Sequence, residues 1–177
     1  MSEILLSVCV PTFNRSKKLT RLIDSMDIVD NIELVICDDG SNDNTKEAIE
    51  HYSKKIKIEY HYQNNRGRGF ALKKAISMAN GVYVIVMDSD DYFTPGALAN
   101  VCWILNSQKS YKSFVFGIKI FKNNKYIYNL PPDIESNFIA LRGDYGVKHD
   151  LKEVVRKDII SSCLYSEEIS VEEFQPF

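Results

Sequence analysis

Val82-Tyr83-Val84-Ile85-Val86-Met87-Asp88-Ser89-Asp90-Asp91 is the stretch that decides the fold. From Val82 to Met87 every position is apolar. A strand wet on one face alternates apolar and polar residues, so this run predicts a strand covered on both faces and placed near the centre of a sheet. It stops abruptly at carboxylates. Side chains at i and i+2 of an extended chain lie on one side, which would set Asp88 and Asp90 together at the strand's carboxyl end.

The pattern repeats outward from there. On the amino side lies a helix with Ala71, Leu72, Ala75, Ile76 and Ala79 on one face, closed by Asn80-Gly81 with Gly81 in a C′ position. Before it come a Gly-rich polar loop over 64–69, a strand over Ile56–Tyr62, a helix over Asn42–Tyr52 and a strand over Ile32–Cys37. Further back, Ser16 can cap a helix whose buried stripe is Leu19, Leu22, Ile23 and Met26, and a first strand spans Ile4–Val10. On the carboxyl side Thr94-Pro95 starts a helix with Leu98, Val101, Cys102 and Leu105 inside. Strand followed by helix, again and again, predicts an α/β fold: a mostly parallel sheet with helices on both faces and right-handed crossovers. Thereafter Ser113–Phe121 and Lys125–Leu130 read as an added hairpin around Lys122-Asn123-Asn124, residues 133–149 as loop with room for one short strand, and Asp150–Ile160 as helix. The acidic tail from Ser166 to Phe177 carries no clear period.

The 177 residues suit one domain that buries roughly two thirds of its unfolded surface. With 45% apolar and 26% charged residues the composition is that of an ordinary globular protein. A net charge of −2 argues against a nucleic-acid binder, and the pairs Lys17-Lys18 and Lys54-Lys55 read as solvated surface. No apolar run reaches the ~20 residues of a membrane helix, and the first residues lack the basic start of a signal peptide. The cytosol is the expected compartment, and peripheral contact with the inner face of a membrane is compatible with it. Cys9, Cys37, Cys102 and Cys163 form no C-x-x-C pair, so they read as small buried hydrophobes rather than metal ligands.

Ligands of open α/β sheets bind beyond the carboxyl ends of the strands, and polar residues gather at those ends here. They are Pro11 to Arg15 after the first strand, Asp38 and Asp39 after the second, Arg66 and Arg68 after the third, and Asp88, Asp90 and Asp91 after the fourth. A hard divalent cation takes one or two carboxylates plus phosphate oxygens, which suits Asp88 and Asp90, one of which could also reach a ribose hydroxyl. The same string also occurs as a plain acidic turn. Asp38 or Asp39 could accept a base N–H or a ribose hydroxyl, since two adjacent carboxylates at a buried strand end need relief. Gly40 and Ser41 read as turn chemistry, with Ser41 or Asn42 capping the next helix. Gly67-Arg68-Gly69 echoes a dinucleotide fingerprint, but Leu72 stands where the third glycine belongs. Arg68, at a helix N-terminus, suits a diphosphate or base.

Taken in order, Val10-Pro11-Thr12-Phe13-Asn14-Arg15, Val35 to Asp43, Asn65-Arg66-Gly67-Arg68-Gly69 and Met87-Asp88-Ser89-Asp90-Asp91 resemble glycosyltransferase family 2 over roughly the first hundred residues. The resemblance implies the GT-A fold, a Rossmann-like three-layer α/β/α arrangement. It also implies a nucleotide-diphosphate-sugar donor, commonly a UDP-sugar, and an inverting displacement by a carbohydrate or lipid-linked acceptor hydroxyl, as in polysaccharide biosynthesis. It places Pro11 and Thr12 at the base, Asp38 or Asp39 on the base, Arg68 near the nucleotide, Asp88 on the ribose, and Asp90, with Asp88, on Mn2+ or Mg2+. The general base it requires is an acidic residue well after this motif, and only Glu172 and Glu173 remain as candidates. Residues 1–105 then form a nucleotide-sugar half and 106–177 an incomplete acceptor half of one domain.

Three other readings compete with this one. A sugar nucleotidyltransferase should carry a Gly-rich basic loop after the first strand, where this chain has Pro-Thr-Phe-Asn-Arg. A phosphatase of the haloacid dehalogenase type places its Asp-x-Asp after the first strand, not the fourth. A non-catalytic or truncated nucleotide-sugar-binding module differs only in lacking the acceptor-side acid.

Overall fold

The computed structural model describes residues 3–116, 119–122, 125–128 and 151–164. In chain order these form β1 (Leu6–Thr12), α1 (Ser16–Asp24), β2 (Ile32–Asp38), α2 (Thr45–Tyr52), β3 (Ile58–Tyr62), α3 (Arg68–Met78), β4 (Tyr83–Val86) and α4 (Ala97–Ser107). There follow β5 (Ser113–Phe116), β6 (Lys119–Lys122), β7 (Lys125–Tyr128), β8 (Lys152–Arg156) and α5 (Lys157–Leu164). One six-stranded sheet has the order β3-β2-β1-β4-β8-β5, and β6 and β7 form a separate antiparallel pair. From β3 to β4 the pairing is parallel, while β8 runs antiparallel to both β4 and β5.

Every residue of β1 and β2 is buried. The period of two sends Leu6, Val8, Val10, Leu34, Ile36, Tyr83 and Ile85 to one face, against Leu19, Leu22 and Ile23 of α1, Ile49 of α2, and Leu98, Val101 and Leu105 of α4. Cys9, Val35, Cys37 and Val84 face the other way, onto Ala71, Ala75 and Ile76 of α3, with Ile160 of α5 beside them. This is the three-layer arrangement expected. Small residues on both sides of the α3 interface let that helix lie close to the sheet. β4, read from the sequence as central, lies between β1 and β8.

Several local expectations are corrected. Asp150–Ile160 is not one helix: Lys152–Arg156 is a strand with Val154 fully buried, and the helix starts at Lys157. Pairing with β4 and β5 outweighs a local pattern ambiguous over so few residues. Ser113–Phe121 is not one strand either, since β5 joins the main sheet and β6 leaves it for β7. Ser16 does not cap α1 with its hydroxyl; its amide donates to Asp43 Oδ2 at 3.0 Å, so the cap comes from another loop. Asp43 also accepts the Thr45 amide at 3.1 Å, leaving no capping role to Ser41 or Asn42. α4 begins at Ala97, after Thr94-Pro95 rather than at it. Gly81 has no left-handed φ; it is needed because a Cβ there would lie 2.7 Å from the Ser7 amide nitrogen. The turn at Asn123-Asn124, the loop over 133–149 and the tail from Ser166 lie outside the described residues.

At the amino end of the sheet Glu33 is fully buried. Ser7 Oγ donates to its Oε1 at 2.7 Å, the Asn80 amide at 2.5 Å, and Lys57 Nζ lies 3.4 Å from Oε2. Ser7 Oγ also accepts the Gly81 amide at 2.8 Å. This network ties β1, β2 and the start of β4 together at the end remote from the polar rim. Cys9, Cys37 and Cys102 are buried free thiols; burial pushes Cys9 up to about 12 and the other two to about 11, so none is a thiolate nucleophile. The Cys163 side chain lies outside the described set. No helix among the described residues is long and apolar enough to cross a membrane.

Candidate functional site: the carboxyl rim of the parallel strands

Register brings the polar ends level. Thr12 pairs with Asp38, Asp38 with Tyr62, and Cys9 with Val86, two residues before Asp88. The rim is built around three loops.

The first follows β2. Asp38 and Asp39 are 1% and 3% exposed, and donors of the protein surround both. Asp38 accepts the Ser41 amide at 2.8 Å and the Tyr60 hydroxyl at 2.9 Å. Burial and the adjacent Asp38 carboxylate push the Tyr60 hydroxyl up, so it keeps its proton and donates. Asp39 accepts Gln63 Nε2 at 2.7 Å, the Arg66 amide at 2.9 Å and the Gly67 amide at 2.8 Å. The relief that two adjacent carboxylates require is thus supplied internally. Asp39 also holds the turn into α3, where Gly67 takes a φ of +92°.

That turn sets Arg68 at the first position of α3. Its guanidinium donates through Nε, at 3.2 Å, and Nη2 to Asp88 Oδ1.

The third loop follows β4. The chain does not stay extended: the Asp91 amide donates to the Asp88 carbonyl at 3.0 Å, closing a turn over Ser89-Asp90. Asp88 and Asp90 therefore face different basic groups instead of lining up as an extended chain would dictate. Asp88 faces Arg68, with Lys152 Nζ 3.9 Å from its other oxygen, and Lys152 pairs with Asp91 at 2.7 Å. Asp90 meets Arg15 Nη1 at 2.7 Å and Lys18 Nζ at 3.2 Å. Arg21 donates to the Asp90 carbonyl and lies 4.9 Å over the Tyr92 ring. Partial burial raises the Asp90 carboxyl, but Lys18 and Arg15 outweigh it, and the group sits below the usual aspartate range, ionised at neutral pH.

Pro11 and Thr12 end β1 and are buried. Thr12 Oγ1 is the buried side-chain oxygen that lacks a hydrogen-bond partner among the described residues. Glu172 and Glu173 lie outside them.

The donor set at the third loop fits a hard divalent cation. Asp88 and Asp90 are 42% and 40% exposed carboxylates on one tight turn. Among the described residues no three His, Cys, Asp or Glu side chains form a self-sufficient cage. One or two protein carboxylates, completed by phosphate oxygens and water, is how magnesium is usually held.

Sequence reasoning placed Arg15 and Arg68 at this rim but missed Lys18, Arg21 and Lys152. Lys18, expected at a solvated surface, reaches Asp90. Its signal was the spacing Arg15, Lys18, Arg21, a basic stripe at helical period beside the apolar one. Lys152, only 21% exposed, could not be found while its strand was read as helix.

A mostly parallel sheet with antiparallel β8 beside its central strand and a charged turn at the carboxyl rim is the GT-A architecture. The chain belongs to glycosyl transferase family 2, whose model matches residues 7–152. It is 35% identical over 97 residues to chondroitin synthase of Escherichia coli, an alignment covering 53% of this chain and 14% of that protein. It is 33% identical over 110 residues to the poly(ribitol-phosphate) β-N-acetylglucosaminyltransferase TarS of Staphylococcus aureus, covering 59% of this chain and 19% of TarS. The crystal structure of TarS 1–349 superposes with a TM-score of 0.71 at 26% identity, covering 90% of this chain and 49% of that one. The same fragment has been solved with UDP-GlcNAc, and superposes with a TM-score of 0.70. The chain thus spans about half of the TarS fragment and a smaller share of the whole enzymes.

Proposed function

We propose that this chain supplies the donor site of an inverting, metal-dependent glycosyltransferase that takes a UDP-sugar and passes the sugar to an acceptor hydroxyl on a carbohydrate or lipid-linked chain. The observation that carries the reading is the gathering of Arg68, Asp88 and Asp90 at one rim of a GT-A sheet. The 26% identity to TarS solved with UDP-GlcNAc supports a uridine donor, and makes N-acetylglucosamine the first sugar to test.

Arg68 meets the nucleotide from the first turn of α3, where free backbone amides also favour negative charge. Asp88 exchanges its ion pair with Arg68 for a ribose hydroxyl. Pro11 and Thr12 flank the base; an unsatisfied buried hydroxyl costs about 1–3 kcal/mol, and a polar group of the donor near Thr12 would offset that cost. Asp38 or Asp39 bounds the same pocket. Asp90, with Asp88, would hold Mn2+ or Mg2+, which when bound stabilises the charge growing on the departing diphosphate. Inversion needs a carboxylate to take the acceptor's proton, and Glu172 and Glu173 are the candidates.

Titration with UDP and UDP-GlcNAc, with and without Mn2+, tests this. Mn2+ should tighten binding, EDTA should reverse the gain, and Asp90→Ala should cut the metal-dependent gain by about tenfold or more. Metal-independent binding that Asp90→Ala leaves unchanged would remove Asp90 from the site. Binding without UDP release on any acceptor would favour a binding module over an enzyme.

A further inference from the structure

The carboxylate assigned to the cation is already engaged. Arg15 and Lys18 both direct their charge at Asp90 Oδ2, at 2.7 and 3.2 Å, and Arg21 fixes the carbonyl of the same residue. Arg15 precedes α1, Lys18 lies in its first turn and Arg21 in its last, and the helix is anchored in the core by Leu19, Leu22 and Ile23. Arg68 and Lys152 pair with Asp88 and Asp91 in the same way, so each carboxylate of this turn already faces at least one cationic side chain. A divalent cation arriving alone meets these cationic side chains and must break two ion pairs to reach Asp90. A diphosphate arriving first reverses both conditions. It brings negative charge to the rim, and offers Arg15 and Lys18 oxygens they bind at least as well as a carboxylate. Both side chains are about half exposed, so their pairs with Asp90 are individually weak and exchange readily.

We propose that Arg15 and Lys18 are positioning residues that lock Asp90 away from divalent cations in the free protein, and that the donor's diphosphate opens the lock by drawing the two cations onto itself. Metal affinity is thereby low without nucleotide and rises when nucleotide is present. The proposal rests on the reading of Asp90 as a cation ligand. It adds that the free protein discriminates against bare metal.

Mn2+ binding to the full chain, read by electron paramagnetic resonance without nucleotide and then with saturating UDP, tests it without any turnover. The combined Arg15→Gln, Lys18→Gln variant should bind Mn2+ alone about fivefold or more tightly than wild type. It should bind UDP alone more weakly, and the gain in Mn2+ affinity produced by UDP should shrink, because coupling between two ligands is reciprocal. Lys18→Gln alone should show a smaller change in the same direction, and serves if the double variant folds poorly. Mn2+ affinity without nucleotide that is unchanged or weaker in both variants overturns the proposal, since the basic pair would then merely preorganise Asp90. Asp90→Ala separates the two readings. If it binds UDP with Mn2+ as wild type does, the reading of Asp90 as the cation ligand fails; if it loses that coupling while the glutamine variants match wild type, only the lock fails.

Discussion

Asp39 is 3% exposed, and its oxygens accept hydrogen bonds from Gln63 Nε2 and from the amides of Arg66 and Gly67. Its own amide donates to the Thr12 carbonyl at 2.8 Å. One residue, through its amide and its carboxylate, therefore joins the ends of β1 and β2 to the turn that presents Arg68. Asp39→Ala leaves these donors without partners, each costing about 1–3 kcal/mol. We expect it to lower stability by about 2–4 kcal/mol in urea melts and to weaken UDP binding, because Arg68 loses its anchor. A residue that only contacted the base would lose binding with its denaturation midpoint unmoved. The sequence showed that Asp38 and Asp39 needed relief. It did not show that, the Ser41 amide apart, the relief comes from residues more than twenty positions away, because hydrogen bonds across loops carry no local period.

Elements are placed by close approach as much as by hydrophobic pattern. α3 and β4 are joined through Asn80-Gly81, and Gly81 lies so near β1 that an added Cβ would sit 2.7 Å from the Ser7 amide nitrogen and 2.9 Å from the Leu6 carbonyl carbon. Backbone atoms cannot step aside as a flexible side-chain tip can. Gly81→Ala should therefore cost about 1–3 kcal/mol, read as a fall in melting temperature, and push β4 away from β1. β8 gives the opposite lesson. Lys152-Glu153-Val154-Val155-Arg156 is too short to declare its own period, and becomes a strand because β4 and β5 each leave an edge beside it. Only that insertion brings Lys152 to Asp91.

For the molecule as a whole, the two ends of the sheet do different work. The carboxyl end is half-exposed and lined with exchangeable ion pairs, while the amino end is closed by the Glu33 network. Burial would raise the Glu33 carboxyl, but the Asn80 amide, the Ser7 hydroxyl, the Asn80 side chain and Lys57 outweigh it and hold it below its ordinary value. A depressed folded value means the unfolded chain takes up its proton first as pH falls. The stabilisation is complete above the ordinary glutamate range near 4.5 and drains away as pH drops through the folded value. Urea melts between about pH 3 and pH 6 should show this acid limb, and Glu33→Gln should flatten it at the cost of lower stability near neutrality. An unchanged pH slope in that variant would mean Glu33 carries none of the acid sensitivity. Legible in the chain alone were the succession of covered strands and amphipathic helices, and with it the carboxylates and Arg68 at the strand ends, because periods of two and 3.6 are local properties of a chain. The tertiary structure alone decided which cations meet which carboxylates and where β8 inserts. Those outcomes depend on distances between segments up to 75 positions apart, as Arg15 and Asp90 are, and no local pattern encodes such a distance.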